Sequence, residues 1–220
     1  RRDLNFNSEV YLQDAAGKMD PVNVSMHPGS DYNPVWSPDG SKLGFVSNRN
    51  NRDADIWFVW LKEEDWLISE KEREEGYYFK EPSAEDEEEE KDDKKDKKKK
   101  EKEVEPLQID FNKIYDRLQQ VTSLSGGEGN LLISKDGETF YFTTYSQINK
   151  GSDLYSVKYD GSDLEQITKG GISPQGLSWD KDQKGMYYVS RGKLYHLDPA
   201  KGKPTGYSHV AKLTLNKVAE

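Results

Sequence analysis

The stretch Asn33-Pro34-Val35-Trp36-Ser37-Pro38-Asp39-Gly40-Ser41-Lys42-Leu43-Gly44-Phe45-Val46-Ser47-Asn48-Arg49, followed by Asp55-Ile56-Trp57-Phe58-Val59, decides how the chain is read. It spells strand, tight turn, strand, loop, strand. Proline presets φ, aspartate bonds its own downstream backbone and glycine takes a positive φ, so Pro38-Asp39-Gly40 has a mechanism as a turn. The β-branched and aromatic residues on either side suit pleated, half-buried strands. One such unit cannot bury both its faces, so it requires neighbours of its own kind.

Those neighbours follow in the chain. Residues Asn130 to Thr143 repeat the turn between two strands around Asp136-Gly137, and Asp153-Leu154-Tyr155-Ser156-Val157 repeats the third strand. A more worn copy runs through Gly176-Leu177-Ser178-Trp179, a looser turn at Asp180 to Gly185, Met186 to Ser190, and Lys193 to Leu197. Phe142 and Tyr188 lie 46 residues apart, as do Val121 and Ile167, while Phe45 to Phe142 and Val24 to Val121 both span 97. A period of 40–50 residues carrying four strands is the signature of β-propeller blades. The longer step is one such period plus an insertion of about 51 residues. Glu9 to Leu12 and Pro21 to Ser25 supply two further short strands. The expectation is an all-β partial propeller over residues 1–220, about three four-stranded blades plus outer strands of a preceding one.

The insertion occupies residues 62–105, between the third and fourth strands of one blade. Lys62 to Glu75 has a helix-forming composition ending at Gly76, a suitable C-cap, and Tyr77-Tyr78-Phe79 could dock that end on the blade. Glu85 to Glu103 then forms nineteen consecutive charged residues, eleven acidic and eight lysines. With nothing apolar to anchor it, this run reads as a solvated, disordered loop; pairs such as Glu87–Lys91 and Glu90–Lys94 leave a solvated helix as the alternative. Its mixed signs largely cancel and argue against an electrostatic tether.

The overall net charge of −9 disfavours nucleic acid as a partner. The chain has no cysteine, hence neither disulfide nor thiolate metal site. No apolar run is long enough to cross a bilayer, and Arg1 to Phe6 lacks a signal-peptide core.

The stretch from Asn33 to Arg49, with its Asp55-Ile56-Trp57 strand, resembles the six-bladed propeller repeats of the TolB-like class. Combined with the charged insertion and Ile109-Asp110-Phe111-Asn112-Lys113-Ile114-Tyr115-Asp116-Arg117-Leu118-Gln119-Gln120-Val121-Thr122, it is similar to the tricorn-like serine peptidases. In that group a propeller precedes a helical segment, a PDZ domain and the catalytic domain. Leu213 to Glu220 resembles the exit from the propeller. The resemblance implies a non-catalytic propeller segment serving as scaffold and gate for peptides or unfolded polypeptides. It places the catalytic residues in domains beyond Glu220, so none is carried over onto this chain. A TolB-like module for protein partners in the bacterial envelope is the alternative. A prolyl-oligopeptidase-type propeller is a third, and its nucleophile elbow would also lie downstream. The resemblance favours a periplasmic or envelope location over a cytoplasmic one, and homo-oligomer formation stays open.

The chain's own residues offer little chemistry. His27, His196 and His209 lack metal-ligand spacing, and neither a metal nor a cofactor is expected. His196 falls in a strand and reads as packed or hydrogen bonded. Gly126-Gly127-Glu128-Gly129 lacks the Lys-Ser/Thr of a phosphate loop and reads as a connector between blades. Asn23-Val24-Ser25 fits a glycosylation sequon. Trp36 and Trp179 occupy corresponding places and are both expected to pack between blades. Arg49 and Arg52, in the loop before Asp55, are the candidates for substrate or partner contact. Three blades are too few to close a ring, which implies a longer polypeptide or an associated partner.

Overall fold

Two turns of the same chemistry set the register of the first two blades. Gly40, at φ +76°, donates its amide to Ser37 O at 3.0 Å, and Gly137, at φ +75°, does the same to Ser134 O at 3.0 Å. The Asp39 and Asp136 carboxylates accept the amides two residues on, from Ser41 and Glu138. Ser37 and Ser134 close each turn by accepting the Lys42 and Thr139 amides, both at 2.8 Å. The third copy departs as its sequence suggests: Gln183, not a glycine, takes the positive φ, and Asp180 accepts amides further along the loop.

The computed structural model of the chain describes residues 7–50, 52–68, 107–201 and 204–207. It contains three four-stranded antiparallel sheets in simple meander order. The first blade comprises β3 (Asp31–Trp36), β4 (Lys42–Ser47), β5 (Asp55–Trp60) and β6 (Leu118–Gln120). The second comprises β7 (Glu128–Ile133), β8 (Thr139–Ser146), β9 (Gly151–Lys158) and β10 (Glu165–Gln166). The third comprises β11 (Gln175–Trp179), β12 (Met186–Ser190), β13 (Lys193–Leu197) and β14 (Pro204–Tyr207). Ahead of them, β1 (Tyr11–Leu12) pairs only with β2 (Val22–Asn23), as outer strands of a further blade would. These are propeller blades that do not close into a ring.

A finer repeat sits in the first strand of every blade. The ladder slips between Tyr32 and Val35, between Gly129 and Leu132, and between Gln175 and Ser178. Each slip contains one residue in the left-handed region: Asn33 (φ +54°), Asn130 (φ +50°) and Gly176 (φ +61°). Asparagine and glycine are the residues that tolerate this conformation, and a bulge of this kind bends the strand.

The core lies between the sheets. Val46, Ile56, Phe58, Leu131, Ile133, Phe140 and Phe142 join the first and second blades. A second cluster packs Val10, Leu12 and Val24 on Leu43, Phe45 and Val59 of the first blade. A third sets Leu132, Tyr141 and Leu154 against Met186, Tyr188 and Trp179. Gly44 makes the closest approach possible, since a Cβ there would stand 2.9 Å from Leu131 and 3.0 Å from Ile133.

Residues 61–117 connect β5 to β6, which pair directly. Buried Arg117 ties the base of this connection, donating to Trp60 O (3.1 Å), Asn112 O (3.2 Å) and the Asp110 carbonyl. Residues 63–68 are helical, and Asp110 Oδ2 accepts the Glu63 amide at 2.9 Å at that helix's start. The remainder of the expected helix, Tyr77-Tyr78-Phe79, the charged run, His209 and the segment from Leu213 lie outside the described residues.

One packing expectation needs correction. Trp179 packs edge-on against Tyr141 and donates Nε1 to Ile133 O at 2.8 Å, bridging two blades. Trp36, its counterpart, is 46% exposed. Among the described residues the blade it would meet contributes only outer strands β1 and β2 and the segment at Ser8, whose carbonyl accepts the Asp31 amide at 2.7 Å, so no inner strand stands opposite Trp36.

Candidate functional site

The starts of β3, β5, β7 and β9 lie at one end of the blades, together with loop 48–54, and the sequence candidates fall here. Arg49 is wholly engaged. Its guanidinium donates to Asp31 Oδ1 (2.9 Å), Ser47 Oγ (2.8 Å) and Ser25 O (3.2 Å), and lies 4.6 Å over the Trp57 ring. A planar, multiply donating cation of this kind fastens the β1–β2 side to the first blade. Arg52 is exposed, at φ +62°, in the same loop. The structure therefore separates the pair: Arg49 is committed to packing, while Arg52 is presented to solvent.

Beside this loop lies a buried acidic pair that the sequence reading passed over. Glu128, 4% exposed, begins β7, and its Oε2 accepts Thr122 Oγ1 at 3.0 Å. Its carboxyl also meets the Asp55 side chain, which accepts Gln120 Nε2 at 3.1 Å, while Glu128 Oε1 is buried without a conventional donor. Two carboxylates cannot hydrogen-bond one another unless a proton lies between them. Burial, reinforced by the charges of Asp55 and Asp53, pushes the Glu128 carboxyl up to about 8, despite the hydroxyl from Thr122. Glu128 is thus a carboxylic acid at neutral pH and donates to Asp55. Asp55 is itself raised, first by burial and then by Asp53. The available sequence signal was an acidic residue opening a strand where the next repeat, 46 residues on, has Pro174.

At the opposite end a cavity of about 350 Å³ opens between the first two blades. Lys42 lies in its wall, with its ammonium 4.1 Å from the centre of the Trp60 ring, 4.9 Å from that of Tyr159, and 3.7 Å from Glu138. Asp65 and Ile68 of the helical segment complete the rim. Burial lowers the Lys42 pKa against the opposing pull of Glu138 and Asp39. This cavity already holds its own cation, so Lys42 acts as a clamp across the two blades.

The two described histidines are locally committed. His196 lies 3.0 Å from Asp180 through Nε2, as its strand placement suggested, and His27 Nδ1 accepts the Gly29 amide at 2.9 Å. Among the described residues no group of His, Cys, Asp and Glu is arranged to hold a metal ion. Nor is any helix there long and apolar enough to cross a membrane.

With this geometry in place, the chain can be set beside known proteins. No family model and no curated protein matches it. Solved structures do. TolB from Acinetobacter baumannii aligns over 90% of this chain and 37% of its own, at a TM-score of 0.56 and 17% identity. The fold is a partial TolB-like propeller. The tricorn protease aligns over 91% of this chain and 20% of its own, at a TM-score of 0.55 and 12% identity. A puromycin-hydrolysing peptidase of Mycobacterium tuberculosis covers 93% of this chain and 31% of its own, at a TM-score of 0.53 and 10% identity. The chain thus spans about a third or less of the length of these three proteins.

Proposed function

We propose that this chain is the non-catalytic propeller segment of a tricorn-like serine peptidase, a scaffold and gate through which peptides or unfolded polypeptides reach a catalytic domain elsewhere in the same polypeptide. The observation that carries this reading is the bare inner face at Trp36. Its counterpart Trp179 spends its indole N–H and one ring face on the preceding blade, and a wall of this kind serves as a gate only once further blades complete the ring. Arg52, exposed at one end of the blades, is the side chain here best placed to meet a passing peptide. The peptidase neighbours, which this chain covers only in part, agree with this division of labour. Periplasmic or envelope placement belongs to the same reading.

The test is to treat the native polypeptide with a serine-directed fluorophosphonate and map the label. Labelling of a serine beyond residue 220, with no peptide hydrolysis by residues 1–220 alone, is the expected result. Hydrolysis by residues 1–220 would overturn the reading.

A second reading, a TolB-like module for protein partners, draws on the apolar tip of the β8–β9 hairpin. Ile148 there is 93% exposed and Tyr145 stands exposed beside it, at the same end as Arg52. Substituting both residues with serine and losing a co-purifying partner, with peptidase activity absent from the native protein, would favour it.

A further inference from the structure

The third strand of each of the first two blades carries an aspartate at or near its start, at an interblade joint, and the two aspartates are satisfied by different chemistry. Asp153 accepts Thr168 Oγ1 (3.2 Å), the Gly171 amide (3.0 Å) and Asn149 Nδ2 (3.2 Å). All are neutral donors that hold at any ordinary pH. At Asp55 the equivalent threonine, Thr122, turns its hydroxyl to Glu128 instead. At Asp55 only Gln120 Nε2 remains as a neutral side-chain donor, and Glu128 takes the place of the others. Glu128 Oε1 is buried and has no conventional donor, so the proton between the two carboxyls is what satisfies both.

We propose that the proton shared by Glu128 and Asp55 is a latch between the first and second blades, closed while the proton is present and released when it is lost. The groups facing the pair offer no substitute. From the loop before β5 comes Asp53, a like charge; from β6 and the residue pair after it come neutral Gln120 and Thr122; from β8 comes neutral Thr144, across the ladder from Glu128. Arg49, the half-buried cation of the same loop, is held by Asp31. Loss of the proton leaves Asp55, Glu128 and Asp53 charged together, and the repulsion falls on the start of β7. There the Glu128 amide bonds Ala54 O at 2.7 Å, a main-chain link between the two blades. Burial and these neighbours place the transition at about 8, within reach of ordinary buffers.

The test is amide hydrogen exchange on the full chain between pH 6 and 9.5, corrected for the intrinsic rate. Protection at the Glu128 and Ile56 amides should fall by roughly tenfold per pH unit from pH 6 up to the transition and level off above it, where open and closed states are both ionised. The Leu154 and Gly171 amides, at the proton-independent joint, should keep theirs, and Glu128→Gln should retain protection throughout. A ¹³C titration of the Glu128 carboxyl in the unsubstituted chain keeps the proposal open to refutation if the variant folds poorly. A midpoint in the ordinary glutamate range would overturn it, as would exchange rising equally at Gly171 or staying flat at Glu128.

Discussion

The joint between the first and second blades and the joint between the second and third are built on one plan and held by different means. At the latter, backbone and side-chain amides satisfy Asp153, and Trp179 adds an indole bond to Ile133 O. At the former, Asp55 relies on a protonated Glu128, Ile133 stands where Trp179 does, and Lys42 clamps the opposite end between Trp60 and Tyr159. Gly44 allows that joint to close more tightly on Leu131 and Ile133. The lesson is that a repeat fixes where a joint needs a donor but not which chemistry supplies it. Substituting titratable groups for amides makes one joint responsive to pH.

Substitutions that break the packing should have the largest effects. Phe140→Ala, in the core between the first two blades, should cost about 3–5 kcal/mol in urea unfolding. Trp179→Ala should cost about 3 kcal/mol, whereas Trp36→Ala should stay within about 0.5 kcal/mol in the 220-residue chain, because Trp36 has no opposing blade to lose. Equal costs at the two tryptophans would mean that Trp36 is covered after all.

Next come the two aspartates. Asp153→Ala leaves the Gly171 amide and the Thr168 hydroxyl short of an acceptor and should cost roughly 1–3 kcal/mol, equally at pH 6 and pH 9. Glu128→Gln should instead change the pH dependence. The folded-state pKa of Glu128, about 8, lies above its ordinary value of 4.5, so the stability it confers is complete below 4.5 and is lost as pH rises through 8. The variant should match the parent near pH 4.5 and exceed it in stability at pH 9. A constant difference across that range would remove the distinction between the joints.

A small effect should also come from Lys42→Met. Replacing a buried charge by an apolar side chain of similar length is often close to neutral, so a change within about 1 kcal/mol at pH 7 is expected. A large loss would mean that the Glu138 pair and the two rings contribute more than packing does.

Much of the architecture could be read from the chain. The spacings of 46 and 97 residues recur in the turns and again in the left-handed residues Asn33, Asn130 and Gly176. The Asp-Gly turns were legible because their chemistry is local. What escaped was long-range. Glu128 meets a partner 73 residues away, and a Gly-rich connector gives no sign that its one acid is buried and protonated. Trp36 was read by analogy with Trp179, but burial belongs to the pair of faces rather than to the residue. Arg49 and Arg52 looked alike in sequence, and only folding shows that one is spent on Asp31 while the other faces solvent.

The most direct test of the account is the intact mass of the native polypeptide from its source. We predict a mass several times the 25.3 kDa of this chain, with the additional residues supplying the blade that covers Trp36 and a catalytic domain. A native mass near 25.3 kDa would contradict the peptidase reading and leave the open face of β3 to a separate partner.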